Sequence, residues 1–219
     1  MPSPRAETFV TGLVLGAGGS TRLGAPKQLL AYGEGTLLGH TVGVARACPF
    51  HQILVPIGGA AAEVRAGVDL TGTDVVVNRD YGRGCSSSIA AALAVVNPRC
   101  EVLVLMLGDQ PGVTPATVTA LLERRRGAAL AICRYEDGRG HPIAFSREMF
   151  AALADLHGDK GVWRLLDQRA ADVVEVPICG PIPLDVDTTD DYRAVLEGLS
   201  QSLGEKPEYL AGFSPSPQR

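Results

Sequence analysis

The 219 residues include 20 basic and 24 acidic side chains, a formal charge of −4 and 46% hydrophobic residues. That balance excludes a disordered chain and a broad nucleic-acid surface, so an anionic ligand must be held by a local group of cations. The five cysteines, at positions 48, 85, 100, 133 and 179, are odd in number and form no C-x-x-C clip, which excludes a full disulfide framework and points to reduced thiols in the cytoplasm.

In chain order, the first predicted element is a strand over Val10–Leu15. Its apolar run from Phe9 is far too short to span a membrane. It flows straight into a glycine-rich segment, which argues against a secretory leader. Strands follow at Ile53–Ile57 and Asp74–Val77. A helix then opens at Ser86, with Ile89, Leu93 and Val96 on one face. Val102–Leu107 reads as a buried strand. Thr114 is an N-cap with Pro115 at the first helical position, and Val118, Leu121 and Leu122 form the apolar stripe behind it. Three more strands are predicted at Ala129–Cys133, Ile143–Phe145 and Val173–Val176. A last helix opens at Thr188, with Tyr192, Val195, Leu196 and Leu199 at helical spacing. Near-continuous Val, Leu and Ile in the strands implies burial on both faces, as in a largely parallel sheet. The alternation of strand and helix gives a doubly wound α/β fold. One domain is expected over residues 1–199. Residues 200–219, with Ser214-Pro215-Ser216-Pro217, read as a flexible tail.

The segment after the first strand is Leu15-Gly16-Ala17-Gly18-Gly19-Ser20-Thr21-Arg22-Leu23-Gly24-Ala25-Pro26-Lys27. Glycines at a strand's carboxyl end let backbone N–H groups approach phosphate oxygens. A dinucleotide fingerprint would need a third glycine where Thr21 stands, and an acid after the second strand, where Val55-Pro56-Ile57-Gly58 has none. A Walker loop would need Gly-Lys-Ser/Thr, but Lys27 lies between Pro26 and Gln28. The loop thus suits phosphate but belongs to neither class. Arg22 and Lys27 add two cations to it. The same residues also read as a tight turn with solvated charges.

Gly108-Asp109-Gln110-Pro111 ends the Val102–Leu107 strand. Open α/β sheets bind ligands beyond their strands' carboxyl ends, so Asp109 is a candidate Mg²⁺ ligand; it reads equally as a turn residue. In Asp185-Val186-Asp187-Thr188-Thr189-Asp190-Asp191, a capping box formed by Thr188 and Asp191 accounts for the last two acids. It leaves Asp185 and Asp187, either of which could be a second ligand. Ser86, Ser87 and Ser88 suit either a polar ligand edge or a plain helix start. His141, in Gly140-His141-Pro142, reads either as part of a turn or as a functional group. His40, His51 and His157 have no partner at zinc-ligand spacing, and Cys85 has no activating partner.

Together these segments resemble the nucleotidyltransferases whose loop reads L-A-A-G-x-S-x-R-x-G-x-x-K. They are most similar to the molybdenum cofactor cytidylyltransferase (MocA-like) branch of the MobA-like NTP transferase superfamily. Pro26-Lys27-Gln28-Leu29-Leu30, Gly108-Asp109-Gln110-Pro111, Gly140-His141-Pro142, Gly158-Asp159-Lys160-Gly161 and Asp185-Val186-Asp187-Thr188 fall in that family's order, over Phe9 to Leu196. The resemblance implies a three-layer Rossmann-like fold with a mixed, mostly parallel sheet. It implies Mg²⁺-dependent transfer of CMP from CTP to molybdopterin with release of pyrophosphate, and a molybdoenzyme or its maturation chaperone as a further partner. Asp109 and Asp187 match the family's metal ligands. Arg22 and Lys27 match its phosphate-binding cations, with Arg22, Lys27 and Asp109 as the catalytic set. Leu15, Gly16, Ala17, Gly18, Gly19 and Ser86 to Ser88 match nucleotide contacts, and His141 falls to the acceptor. The chain departs from the family at Gly16, Leu23 and Thr189, where Ala, Met and Pro are common.

A phosphate monoester is largely dianionic at neutral pH and needs no general base to attack a nucleotide's α-phosphorus. The obstacle is charge repulsion, which cations at the site would offset. Two rivals keep the same pocket. One is a nucleotidyltransferase for a sugar or alditol phosphate. The other is a non-catalytic escort for finished cofactor, which would not need both carboxylates. A nicotinamide dehydrogenase fits the loop poorly.

Overall fold

The computed structural model describes residues 8–19 and 23–203. Seven strands form one sheet: β1 (Val10–Leu15), β4 (Gln52–Ile57), β5 (Asp74–Val77), β6 (Val102–Leu107), β7 (Leu130–Arg134), β8 (Arg139–Ser146) and β9 (Val173–Pro177). β2 (Ala31–Tyr32) and β3 (Gly35–Thr36) make a separate small antiparallel pair. The order across the sheet is β5-β4-β1-β6-β8-β7-β9. β5, β4, β1 and β6 are mutually parallel, β8 runs antiparallel to β6 and β7, and β9 is parallel to β7. The sheet is therefore mixed and mostly parallel, as expected.

Alternation along the strands divides the core in two. Val102, Val104 and Met106 face one side of the sheet; Leu103 and Leu105 face the other. The first side is covered by α1 (Leu37–Arg46), α2 (Ala61–Gly67) and α4 (Pro115–Arg124), through Leu38, Val42, Val64, Val118 and Leu121. The second is covered by α3 (Cys85–Leu93), α5 (Phe150–Ala154) and α6 (Gly161–Gln168), through Ile89, Leu153, Val162, Leu165 and Leu166. The result is a three-layer Rossmann-like fold, as the resemblance implies. α7 (Thr189–Leu203) instead joins Leu37 and Val186 in a third cluster, with Leu30 and Tyr32 packed against it. The Tyr192 hydroxyl donates to Ala31 O at 2.6 Å and fixes α7 over the β2–β3 pair.

Within the seven-stranded sheet the strand positions follow the sequence closely, with one marked difference, while the β2–β3 pair is not expected from the sequence. β8 begins four residues before the predicted Ile143. Its register against β7 jumps from Cys133–Gly140 to Ile132–Ile143, leaving His141 and Pro142 as an inserted bulge. Pro142 has no N–H to give a ladder, so the bulge hides the strand's start from a pattern reading. α7 continues past residue 199 to Leu203, and residues 204–219 of the expected tail lie outside the described residues. No helix among the described residues is long and apolar enough to cross a membrane. All five cysteines are free thiols.

Candidate active site

Hydrogen bonds at the carboxyl end of β1 build the site. Gly16 extends the ladder, its N–H donating to Pro56 O at 3.1 Å, and Gly108 N donates to Leu15 O at 2.9 Å. The loop then returns to a short 3-10 turn, Lys27–Leu29. There the buried Gln28 amide donates to Gly16 O at 2.9 Å and to Gly18 O at 2.8 Å. This clamp sets the course of the loop and puts the Lys27 stem beside Gly18, where an added Cβ would lie 3.6 Å from Lys27 Cε.

The turn after β6 draws in the chain that precedes α7. Val186 N donates to Asp109 O at 3.1 Å, and the Gln110 amide donates to Pro183 O at 3.0 Å. Thr188 and Asp191 form the expected reciprocal cap. Asp191 N donates to Thr188 Oγ1 at 3.2 Å, while Asp191 Oδ2 accepts from Thr188 N at 2.8 Å and from Asp187 N at 3.2 Å. The cap thereby fixes the backbone of Asp187.

Three charged groups meet as a result. The Lys27 ammonium donates to Asp109 Oδ2 in a short contact and to Asp187 Oδ1 at 2.9 Å. Burial pulls the Lys27 pKa down, but the charges and hydrogen bonds of Asp109 and Asp187 outweigh it and leave the ammonium above its ordinary value. Asp185 is exposed, yet protein crowded around its carboxyl, with Asp109 and Asp187 adding repulsion, pushes it up to about 6 against the pull of Lys27.

These groups lie in a cleft of about 600 Å³, within the usual size range for small-molecule sites. Leu15, Gly16, Ala17, Gly18, Gly19, Lys27, Asp109, Asp187, Ser88 and His141 all line it, as does Asp185. Ser86 is buried and outside the lining. Ser87 is also outside it: its hydroxyl donates to Asp80 O at 3.0 Å and Gly84 O at 2.8 Å and accepts from the Asn78 amide at 2.8 Å. Ser88 Oγ accepts from the same amide at 2.9 Å. Arg22 lies outside the described residues.

Sequence reasoning missed several lining residues: Gln28, Tyr81, Cys85, Asp159, Val162 and Trp163. Asp159 Oδ1 accepts from Cys85 N at 2.9 Å and so caps α3 from another loop. Its place in the Gly158-Asp159-Lys160-Gly161 segment was the available signal. Burial, then the Asp159 charge, pushes the Cys85 thiol up to about 11, so it is a poor nucleophile at neutral pH.

Among the described residues no three His, Cys, Asp or Glu side chains are grouped to hold a metal ion. The donor set suits Mg²⁺ nonetheless. That ion is held by one or two carboxylates together with substrate phosphates rather than by an all-protein cage. Asp109 and Asp187 already converge on a cation, the Lys27 ammonium.

A family model described as "MobA-like NTP transferase domain" matches residues 12–173. Nicotine blue oxidoreductase from Paenarthrobacter nicotinovorans is 32% identical over 198 residues, which span 85% of this chain and 96% of that protein. The crystal structure of Rv0371c from Mycobacterium tuberculosis is 53% identical, with a TM-score of 0.83 over 87% of this chain and 98% of that one. A complex of Rv0371c with manganese is also similar, at 50% identity and a TM-score of 0.79 over 87% of this chain and 99% of that one. A nucleotidyl transferase from Methanothermobacter shares the fold, with a TM-score of 0.78 at 22% identity over 90% of this chain and all of that one.

Proposed function

From the premise that this chain belongs to the MobA-like NTP transferase family, we propose that it transfers CMP from CTP to molybdopterin and releases pyrophosphate. The observation that carries this reading is the convergence of Asp109 and Asp187 on Lys27 beside the glycine loop. The loop amides, Lys27 and, by the family resemblance, Arg22 bind the triphosphate. A phosphate oxygen of the acceptor attacks the α-phosphorus. The bond from that phosphorus to the bridging oxygen breaks, and pyrophosphate leaves with the electron pair. The dianionic acceptor supplies its own nucleophile, so the site requires no general base. Lys27 stabilises the charge gathering on the departing phosphates. Asp109 and Asp187 would hold Mg²⁺, which when bound neutralises phosphate charge. The preference for cytidine rests on Leu15-Gly16-Ala17-Gly18, which resembles the cytidine type more than the L-A-G-G of guanine-preferring relatives. A cytoplasmic setting, with a molybdoenzyme or its chaperone taking the product, belongs to the same proposal.

The test is pyrophosphate release by the full chain supplied with Mg²⁺, molybdopterin and either CTP or GTP. Release with CTP at least ~10-fold faster than with GTP is expected, a discrimination of about 1.4 kcal/mol. Release only with a sugar or alditol phosphate would move the acceptor to the rival class. Saturable cofactor binding with no release from any acceptor would leave an escort.

A second reading draws on the similarity to nicotine blue oxidoreductase, matched over 96% of that protein's length. Under it, the chain would reduce a coloured heterocyclic compound at this cleft. Bleaching of nicotine blue by the full chain with a reduced nicotinamide nucleotide, without any need for CTP, would favour that reading.

A further inference from the structure

The bulge in β8 lifts His141 out of the ladder at the edge of the cleft. Bulges beside active sites commonly re-aim a side chain in this way. The residue is 7% exposed. Its carbonyl accepts from the Tyr135 hydroxyl at 2.7 Å, but neither ring nitrogen has a hydrogen-bond partner among the described residues. Buried polar groups are nearly always paired, so a ring left open toward a cleft points to a ligand. The ring meets Trp163 of α6 edge-on, with centroids 5.8 Å apart and planes at 87°. Trp163 also lines the cleft, and its indole N–H likewise has no partner among the described residues.

We propose that His141 and Trp163 form the acceptor end of the cleft and receive a flat, uncharged nitrogen heterocycle, His141 by a hydrogen bond and Trp163 by ring contact. That this heterocycle belongs to the acceptor rests on the transfer reading above. The sheet order supports the assignment. The glycine loop, Tyr81 and Ser88 lie toward β1, β4 and β5, whereas His141 lies on β8, beyond β6. With a triphosphate on the loop and Lys27, the β8 side is left for the second substrate. The residues lining that side, Leu105, Leu107, Val162, Trp163, His141 and Asp159, include no Lys or Arg. Asp159 already occupies the Cys85 N–H. Among the described residues an anionic group would therefore meet no cation there, while a neutral ring edge would meet a free donor or acceptor and an aromatic wall.

Trp163 is the single tryptophan of the chain, so its fluorescence reports on this end of the cleft alone. The full chain is titrated with unphosphorylated pterin, with and without saturating CTP and Mg²⁺. Saturable quenching that CTP does not displace is expected. His141→Ala should weaken it at least tenfold, and His141→Asn, which keeps an amide donor and acceptor, should recover most of the loss. Trp163→Leu, followed by calorimetry, should weaken pterin binding to a similar degree and carries the test if His141→Ala does not fold. No saturable quenching up to millimolar pterin, displacement by CTP, or wild-type affinity in both His141→Ala and Trp163→Leu would overturn the proposal. Pyrophosphate is not read in this assay, so its failure leaves CMP transfer standing. Pterin binding by a chain that never releases pyrophosphate would instead overturn the transfer reading and with it the acceptor role, leaving His141 and Trp163 as a heterocycle-binding site.

Discussion

Asp109 is the carboxylate most deeply committed to the site, because it bonds Lys27 through its side chain and Val186 through its backbone. Asp109→Ala should lower kcat at least ~10²-fold, the usual scale for losing a key electrostatic group. Near-normal turnover with CTP and Mg²⁺ saturating would remove it from the mechanism. Lys27→Ala removes the cation that both acids share, and triphosphate affinity by calorimetry should fall roughly 10- to 100-fold, the worth of a charge-assisted hydrogen bond. Lys27 and Asp109 could be picked out as charged residues beside glycines and a strand end, whereas the residues alone left Asp185 and Asp187 open and only the family resemblance singled out Asp187. Trp163 and Asp159 were not legible. A lone aromatic at helical spacing reads as core, and the capping of a helix by an acid from a distant loop has no local pattern, so the Gly158-Asp159-Lys160-Gly161 segment was its one signal. Ser87 shows the reverse: its hydroxyl suits a ligand by type, yet it is spent on Asn78, Asp80 and Gly84.

The start of α3 and the start of α7 hold the cleft from opposite sides. Gly84 precedes α3 at φ +96°, and a Cβ there would lie 2.8 Å from both Asp159 Oδ1 and the Gly158 carbonyl carbon. Gly84→Ala should therefore cost about 2 kcal/mol in denaturant unfolding, combining left-handed strain with a backbone clash. A loss under a few tenths would show that the Gly158–Asp159 loop yields freely. Thr188→Ala deletes one half of the α7 cap and should cost about 1 kcal/mol. Its turnover should fall less than that of Asp109→Ala, since Asp191 still holds the Asp187 amide. The α7 cap could be read from four consecutive residues. The α3 cap could not, because its acceptor stands 74 residues away.

For the whole molecule, the buried His141 couples stability to pH. Burial pushes its pKa down to about 4 from the ordinary 6.5. As pH falls below 6.5 the unfolded chain takes up a proton that the folded chain refuses, so the His141 contribution lowers stability and levels off near pH 4, while Asp185, raised to about 6, acts in the opposite sense over the lower part of that window. The loss from His141 taken alone approaches about 3 kcal/mol at 1.36 kcal/mol per pH unit. His141→Asn should flatten this part of the curve in denaturant midpoints taken from pH 7 to pH 4, and an unchanged slope would show that other groups set it. Sheet membership, the α/β alternation and the chemistry of the glycine loop follow from residue order, because apolar runs, caps and glycine freedom act over a few neighbours. Which residues meet does not follow from order alone. Lys27 reaches Asp109 across 82 positions and Asp187 across 160. That meeting depends on β6 pairing beside β1, and on the hydrogen bonds of Val186 and Gln110 that fold the chain before α7 back onto the β6 turn. The inserted bulge in β8 is likewise a product of strand pairing, and it turns a histidine that reads in sequence either as part of a turn or as a functional group into an unpaired ring at the cleft.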